Sequence, residues 1–386
     1  MSSLELQVSS GLATIAWHSI NWAACHRRVR SLQRRIVQAV QAGLWRKVKR
    51  LSYLLVRSLA GRALAIKRVT ENAGKKTPGV DGKVWDTPEQ KADAITRIGQ
   101  WRNYQSRPLK RIYIPKRIGL RRPLSIPALI DRARQALHLQ ALQPIGETQA
   151  DPNSYGFRPK RQCADAIDQC FKVLRLKSSA NWILEADIEG FFDHISVAWM
   201  ETHIPMNRRV LSKWLSSGFL EQGRRSPTSS GVPQGGIISP VISNLGLEGL
   251  EAVVHGSPWQ RRVHNINFIR WADDFIVTAN SREVLEQTVL PRINAFLGER
   301  GVRLSPTKTV ITPLSEGFDF LGHRSVSLNG ATANRPSYLS RRVSSAYTPS
   351  KLRSEPSANK PKAPPPGNSS TSSTQSLEGG RTTTAT

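Results

Sequence analysis

Apolar positions in the first part of the chain recur at helical spacing: Val29, Leu32, Ile36 and Val40, then Leu44, Val48, Leu51, Leu55 and Leu59, with Gly43 between the two series. Steps of three and four residues put each series on one helix face, so the pattern predicts two amphipathic helices. From about Lys75 to Gly322 the pattern changes. Short runs rich in β-branched and aromatic residues at 111–115, 182–188 and 266–279 predict strands, and longer stretches at 131–143, 163–177 and 282–300 predict helices. That mixture is an α+β body. Beyond Gly322 the periodicity stops: Ser, Thr, Pro and Lys dominate, and Tyr338 and Tyr347 are the only aromatics. Such a segment buries too little to offset the ~1–2 kcal/mol per residue that ordering costs. The expected organisation is a helical extension over 1–74, a globular body over 75–324 and a disordered tail over 325–386, with no internal repeat.

Charge sharpens this picture. The 386 residues include 56 Lys and Arg against 28 Asp and Glu, a net charge of +28 with a pI near 11.0, which calls for a polyanionic partner. An apolar share of 39% with 10 Trp and 10 Phe is enough for one or two packed domains, so a wholly disordered polycation is excluded. Between residues 27 and 68 there are thirteen Lys or Arg and no acid. Solvated helix faces usually mix signs, so this face predicts nucleic-acid binding. Cys25, Cys163 and Cys170 are too few and too scattered for a disulfide framework or a zinc site, which fits a reducing compartment. No run approaches the ~18 apolar residues of a membrane span, and the N-terminus lacks the pattern of a signal peptide.

Two acidic strand ends carry the sharpest chemistry. In WILEADIEGFFDHI an apolar strand delivers Asp187, followed by Phe191 and Phe192; in INFIRWADDFIVTAN, Asp273 and Asp274 interrupt a run that reads as strand, tight turn and strand. Adjacent aspartates against an apolar core repel each other unless cations neutralise them. Two Mg²⁺ ions about 3.5–4 Å apart, held by carboxylates on neighbouring strands, serve phosphoryl transfer in this way. ADD alone is weak evidence, because surface turns favour Asp. Three further segments add weight: KRIYIPKRIGLRRPLSIP, SYGFRPKRQCADAI and GVPQGGIISPVISNL.

With these segments in this order, and with WHSINW, SLQRRIVQAV and KKTPGVDG before them, the chain resembles the group II intron reverse transcriptases, the intron-encoded maturase type, from about Trp17 to Gly322. The resemblance implies a right-hand polymerase with fingers and palm behind a basic helical N-terminal extension, acting as an RNA-directed DNA polymerase. It implies Asp187, Asp273 and Asp274 as catalytic carboxylates holding two Mg²⁺, Lys116 and Arg122 as fingers residues at the triphosphate, Phe191 under the sugar against a 2′-hydroxyl, and Gln234 beside the incoming nucleotide. Lys308, in LSPTKT, is a further candidate for a phosphate contact. Lys and Arg suit phosphate, Arg through its planar fork, and a bulky ring is a simple steric bar to a 2′-hydroxyl. For Tyr155, Phe157 and Arg158 the choice between template contact and packing stays open. The implied partners are group II intron RNA, an RNA template with a DNA primer, and dNTPs, with no membrane. Homodimerisation is left open, and the implied location is the bacterial cytoplasm or an organelle, as a ribonucleoprotein.

Two departures from the family pattern set further expectations. Trp271 stands where the family usually has Tyr before ADD, and a Ser/Thr/Pro-rich tail follows GFDFLG where the family continues into a helical thumb. The second departure reads as a frameshift or truncation with the thumb missing, which would weaken processive synthesis. The rival reading is an RNA-binding splicing factor, or an inactive fragment, with a vestigial polymerase site.

Overall fold

The side-chain oxygen of Asn21 accepts from the Ala24 amide and starts α1 (Trp22–Gln41), the first long element of the computed structural model, which describes residues 16–115, 121–176, 178–327 and 338–342. Gly43, at φ +67°, turns the chain into α2 (Trp45–Arg57), and α3 (Leu59–Glu71) follows. The second helix expected from the pattern is therefore two. The Ser58 hydroxyl donates to the Leu55 carbonyl at 2.7 Å and accepts from the Gly61 amide at 3.0 Å, closing one helix and capping the next. Thr87 opens α4 (Pro88–Arg97) with a capping box, and Pro88 takes the first position, where no amide is needed.

β1 (Leu109–Pro115) and β2 (Arg121–Ile126) form an antiparallel hairpin and lead into α5 (Leu129–Gln149). One side of α5 (Leu137, Ala141, Ile145) packs with Val29, Ile36, Val48, Leu51, Leu55 and Ile66 of the N-terminal helices, while Leu139 and Leu142 join the second core. Covered on both sides, this helix has no polar stripe. The arginines and lysines of α1 and α2 lie on the outer surface, as the pattern predicts.

The remaining elements are α6 (Cys163–Leu174), β3 (Trp182–Asp187), α7 (Phe191–His194), α8 (Val197–His203), α9 (Arg208–Leu215), β4 (Phe219–Glu221), β5 (Arg224–Ser226), α10 (Ser239–Gly246), α11 (Leu250–His255), α12 (Pro258–Val263), β6 (Asn267–Trp271) and β7 (Asp274–Ala279). After them come α13 (Arg282–Val284), a π-turn at Leu285–Val289, α14 (Leu290–Gly298), β8 (Val310–Pro313), β9 (Phe318–Phe320), β10 (His323–Ser327) and β11 (Tyr338–Arg342). One sheet runs β2-β1-β4-β5 and a second β6-β7-β3-β8. No helix among the described residues is long and apolar enough to cross a membrane.

A third sheet, β11-β10-β9, corrects one expectation. The tail was to be structureless from residue 325, yet residues 325–327 lie in β10, and 338–342 pair with it as β11. The reason is backbone, not composition: β10 folds back from β9 through Leu321 and Gly322, both at positive φ, and its free edge offers a hydrogen-bond ladder that β11 fills. The rest of that tail, 328–337 and 343–386, lies outside the described residues, as does Lys116.

Candidate active site

β3 ends in Asp187 and β7 begins with Asp274, and the antiparallel register of the two strands sets these residues directly opposite each other. Trp271 pairs with Asp274 across the β6–β7 hairpin, so Ala272 and Asp273 form the two-residue turn, with Ala272 at φ +59°. Positive φ at the first central position is the conformation that such hairpins favour and that glycine adopts most readily. Backbone bonds close the floor: the Ile188 amide donates to the Asp273 carbonyl at 3.1 Å and the Ser305 amide to the Asp187 carbonyl at 2.8 Å.

The three carboxylates strain against each other. Burial pushes the Asp274 carboxyl up to about 7, with the charges of Asp187 and Asp273 adding to the rise. Asp273 is raised too, first by burial and further by Asp187, against the pull of Lys308 and Arg122. Lys308 Nζ donates to Asp187 Oδ2 at 2.5 Å, and that bond first of all holds the ammonium above its ordinary range. One lysine against three clustered carboxylates leaves negative charge over. Oxygen-only donors with surplus charge suit a hard divalent cation. Among the described residues no three acidic, imidazole or thiol groups are arranged so that they could hold a metal ion as they stand; the fit is one of donor chemistry and backbone placement.

The other expected site residues divide. Arg122 is exposed on β2, opposite Ile114, and its charge reaches Asp273. Gln234 Nε2 donates to both Asp193 oxygens at 3.2 Å, while the Gln234 backbone carbonyl accepts from the Ser125 amide at 2.7 Å and so ties this turn to β2. Phe191 is not brought to an open surface. At 2% exposed it packs in the core that also holds Ala186 and Phe275, and Phe192, half-buried and edge-on to Phe157, is the ring nearer solvent. Tyr155 is buried and Arg158 pairs with Glu147 at 3.0 Å, both packing roles, whereas Phe157 is 37% exposed.

Sequence reasoning passed over Arg270, Asp151, Glu248 and Gly156, which stand directly behind the acidic turn. A Cβ on Gly156 would come within 2.9 Å of the Trp271 carbonyl carbon, so only glycine lets the 151–158 segment lie against β6. The available sign was a lone arginine inside the apolar run INFIRW.

Residues 114–325 match the family model described as reverse transcriptase (RNA-dependent DNA polymerase), and residues 17–98 match the N-terminal domain of reverse transcriptase. The chain is 30% identical over 303 residues to protein YkfC of Escherichia coli K12, covering 67% of this chain and 78% of YkfC. It is 26% identical over 325 residues to the group II intron-encoded protein LtrA of Lactococcus lactis, covering 67% of this chain and 54% of LtrA. It thus spans about half the length of LtrA. A solved telomerase from Candida tropicalis overlaps 57% of this chain and 44% of its own at 14% identity, with a TM-score of 0.43.

Proposed function

We propose that this chain, which belongs to the reverse transcriptase (RNA-dependent DNA polymerase) family and to its group II intron-encoded branch, extends a DNA primer on an RNA template by nucleotidyl transfer from dNTPs. The observation that carries the reading is the β3–β7 register, which pairs Asp187 with Asp274 beside Asp273. These three would hold two Mg²⁺, which when bound neutralise charge on the attacking and leaving oxygens. The chain's own residues supply the surroundings. Lys308 orients Asp187 through its hydrogen bond to Oδ2, and Arg122 presents a fork suited to phosphate oxygens. Gln234, braced by Asp193 and by β2, borders the place for the incoming nucleotide, and Lys116 keeps the role that the resemblance implies, whereas Phe191, enclosed in the core, leaves Phe192 as the ring available to face a sugar. The test is primer extension on poly(rA)/oligo(dT) with Asp187→Ala, Asp273→Ala and Asp274→Ala. Each should lose at least ~10²-fold, beyond the typical effect of an outer partner of a metal, while RNA binding survives. An Asp273→Ala chain as fast as its parent would remove the assignment.

The acid-free outer face of α1 and α2 favours a second role, binding of intron RNA in a ribonucleoprotein, cytoplasmic or organellar. This role needs no polymerase chemistry. A chain that binds intron RNA and aids its splicing with all three aspartates replaced would make RNA binding the primary function.

A further inference from the structure

Arg270 has no solvent exposure at all, although it carries a full charge and sits in β6 between Ile269 and Trp271. A buried guanidinium is stabilised by acceptors and opposite charge, and here Nη1 is hydrogen-bonded while Nε and Nη2 have no hydrogen-bond partner. Nη1 donates to the Ala272 carbonyl at 3.0 Å and to Asn244 Oδ1 at 3.4 Å, and Nη2 pairs with Glu248 Oε1 at 3.8 Å. Glu248 in turn accepts from the Asp151 amide at 2.7 Å, and the Asp151 carboxylate accepts from the amides of Gly249 and Glu251. The main chain joins the same assembly. The Arg270 amide donates to Asn153 and its carbonyl accepts from Tyr155, both at 2.9 Å, so 153–155 lies along β6 like a short added strand.

The contact with Ala272 sets the geometry of the turn. The Ala272 carbonyl belongs to the same peptide plane as the Asp273 amide, so a donor fixed on that oxygen fixes the orientation of the 272–273 peptide. Ala272 is at φ +59°, where an alanine is strained. Without the donor, a turn with Ala272 at negative φ relieves that strain and re-aims both aspartates.

We propose that Arg270 is a positioning residue for the acidic turn: held in place by Asn244, Glu248 and the 151–158 segment, it clamps the Ala272 carbonyl and keeps Asp273 and Asp274 facing Asp187. The importance of that aim rests on the reading of these aspartates as the catalytic centre; the clamp itself is a matter of backbone geometry and is measured separately. Lysine in its place keeps the charge that Glu248 and Asp151 need but offers one donor centre for partners on two sides.

The experiment uses the full chain and two readouts: amide hydrogen exchange in a peptide spanning 268–276, and Mn²⁺ binding followed by the electron paramagnetic resonance of the free ion. Arg270→Met should speed exchange at 272–274 by about 10-fold or more and weaken Mn²⁺ binding by about 10–100-fold, the range for loss of an outer partner of a metal. Arg270→Lys should recover more of the melting temperature than of the turn's protection. Ile95→Ala, a core truncation in α4, controls for general loss of stability and should leave both readouts at parental values. If Arg270→Met does not fold, Arg270→Lys and Glu248→Gln carry the test, each with faster exchange at 272–274 expected. Parental exchange at the turn in the folded Arg270 variants, or equal loosening by Ile95→Ala, overturns the proposal. A parent that binds Mn²⁺ no better than an Asp187→Asn/Asp274→Asn double variant, while Arg270→Met still loosens the turn, leaves the clamp standing and removes the metal-site reading.

Discussion

His138 in α5 is wedged between Trp101 and Trp214, whose ring centroids each lie 5.3 Å away at near right angles, and its Nε2 has no hydrogen-bond partner. Burial first, and then the charge of Arg134, push this imidazole down to about 4. In the unfolded chain a histidine titrates near 6.5. Below that pH the unfolded chain binds a proton that the fold refuses, so the stability due to neutral His138 is complete above about pH 6.5 and is lost as pH falls toward 4. Linkage between those two values gives a loss of about 2.5 kcal/mol between pH 7.5 and pH 4.5. Other groups shift the opposite way over the same range: burial raises Asp131, and burial raises Glu248 to about 7, so both take up protons more readily in the fold. The raw pH profile therefore mixes signs. His138→Phe keeps a planar ring between the two indoles and removes the titration, so urea unfolding of parent and variant at both pH values isolates the histidine as a double difference. The parent should lose about 2–3 kcal/mol more than the variant on acidification. Equal losses within about 0.5 kcal/mol, a small fraction of that linkage, would refute the claim that the fold holds His138 neutral.

Further expectations follow from the same packing. Gly156→Ala forces a Cβ against the backbone of Trp271 and Ala272, which cannot yield without moving the acidic turn; unfolding should cost about 1–3 kcal/mol less, and an unchanged melting temperature would show that the 151–158 segment is not pressed on β6. Affinity for RNA should fall by roughly 10³–10⁵ between 50 and 200 mM salt if 6–10 phosphates are engaged, and deleting residues 1–70 should flatten that slope. An undiminished slope would move the RNA surface away from α1 and α2. Ending the chain at Gly322 removes β10 and β11 and exposes the edge of β9. A lower melting temperature is expected, and an unchanged one would mean that this ladder adds nothing to stability.

Local features of the sequence determined a good deal of this protein. Spacing of apolar residues showed the N-terminal helices and the alternation of strands and helices, because a helix or strand face is written in residues three, four or two apart. The absence of acids between residues 27 and 68 marked the cationic surface, and adjacent aspartates in an apolar run marked the turn. Tertiary structure decided what those pieces do together. The pairing of Asp187 with Asp274 depends on β3–β7 register, and Lys308 reaches Asp187 from 121 positions away. The absence of a polar face on α5 follows from what packs around it, and the strand pairing beyond residue 325 from a ladder that composition does not record. Phe191 and Phe192 are neighbours of one type, and only the core around them decided which ring is enclosed. Arg270 shows the limit most clearly: in the chain it is a stray charge in a strand, while its hydrogen-bond acceptors come from α10 and from its own turn and its counter-charge from Glu248. The physical reason is common to all of these. Periodicity and capping are local and act within a few residues, whereas register, burial and charge neutralisation depend on segments brought together by the whole fold.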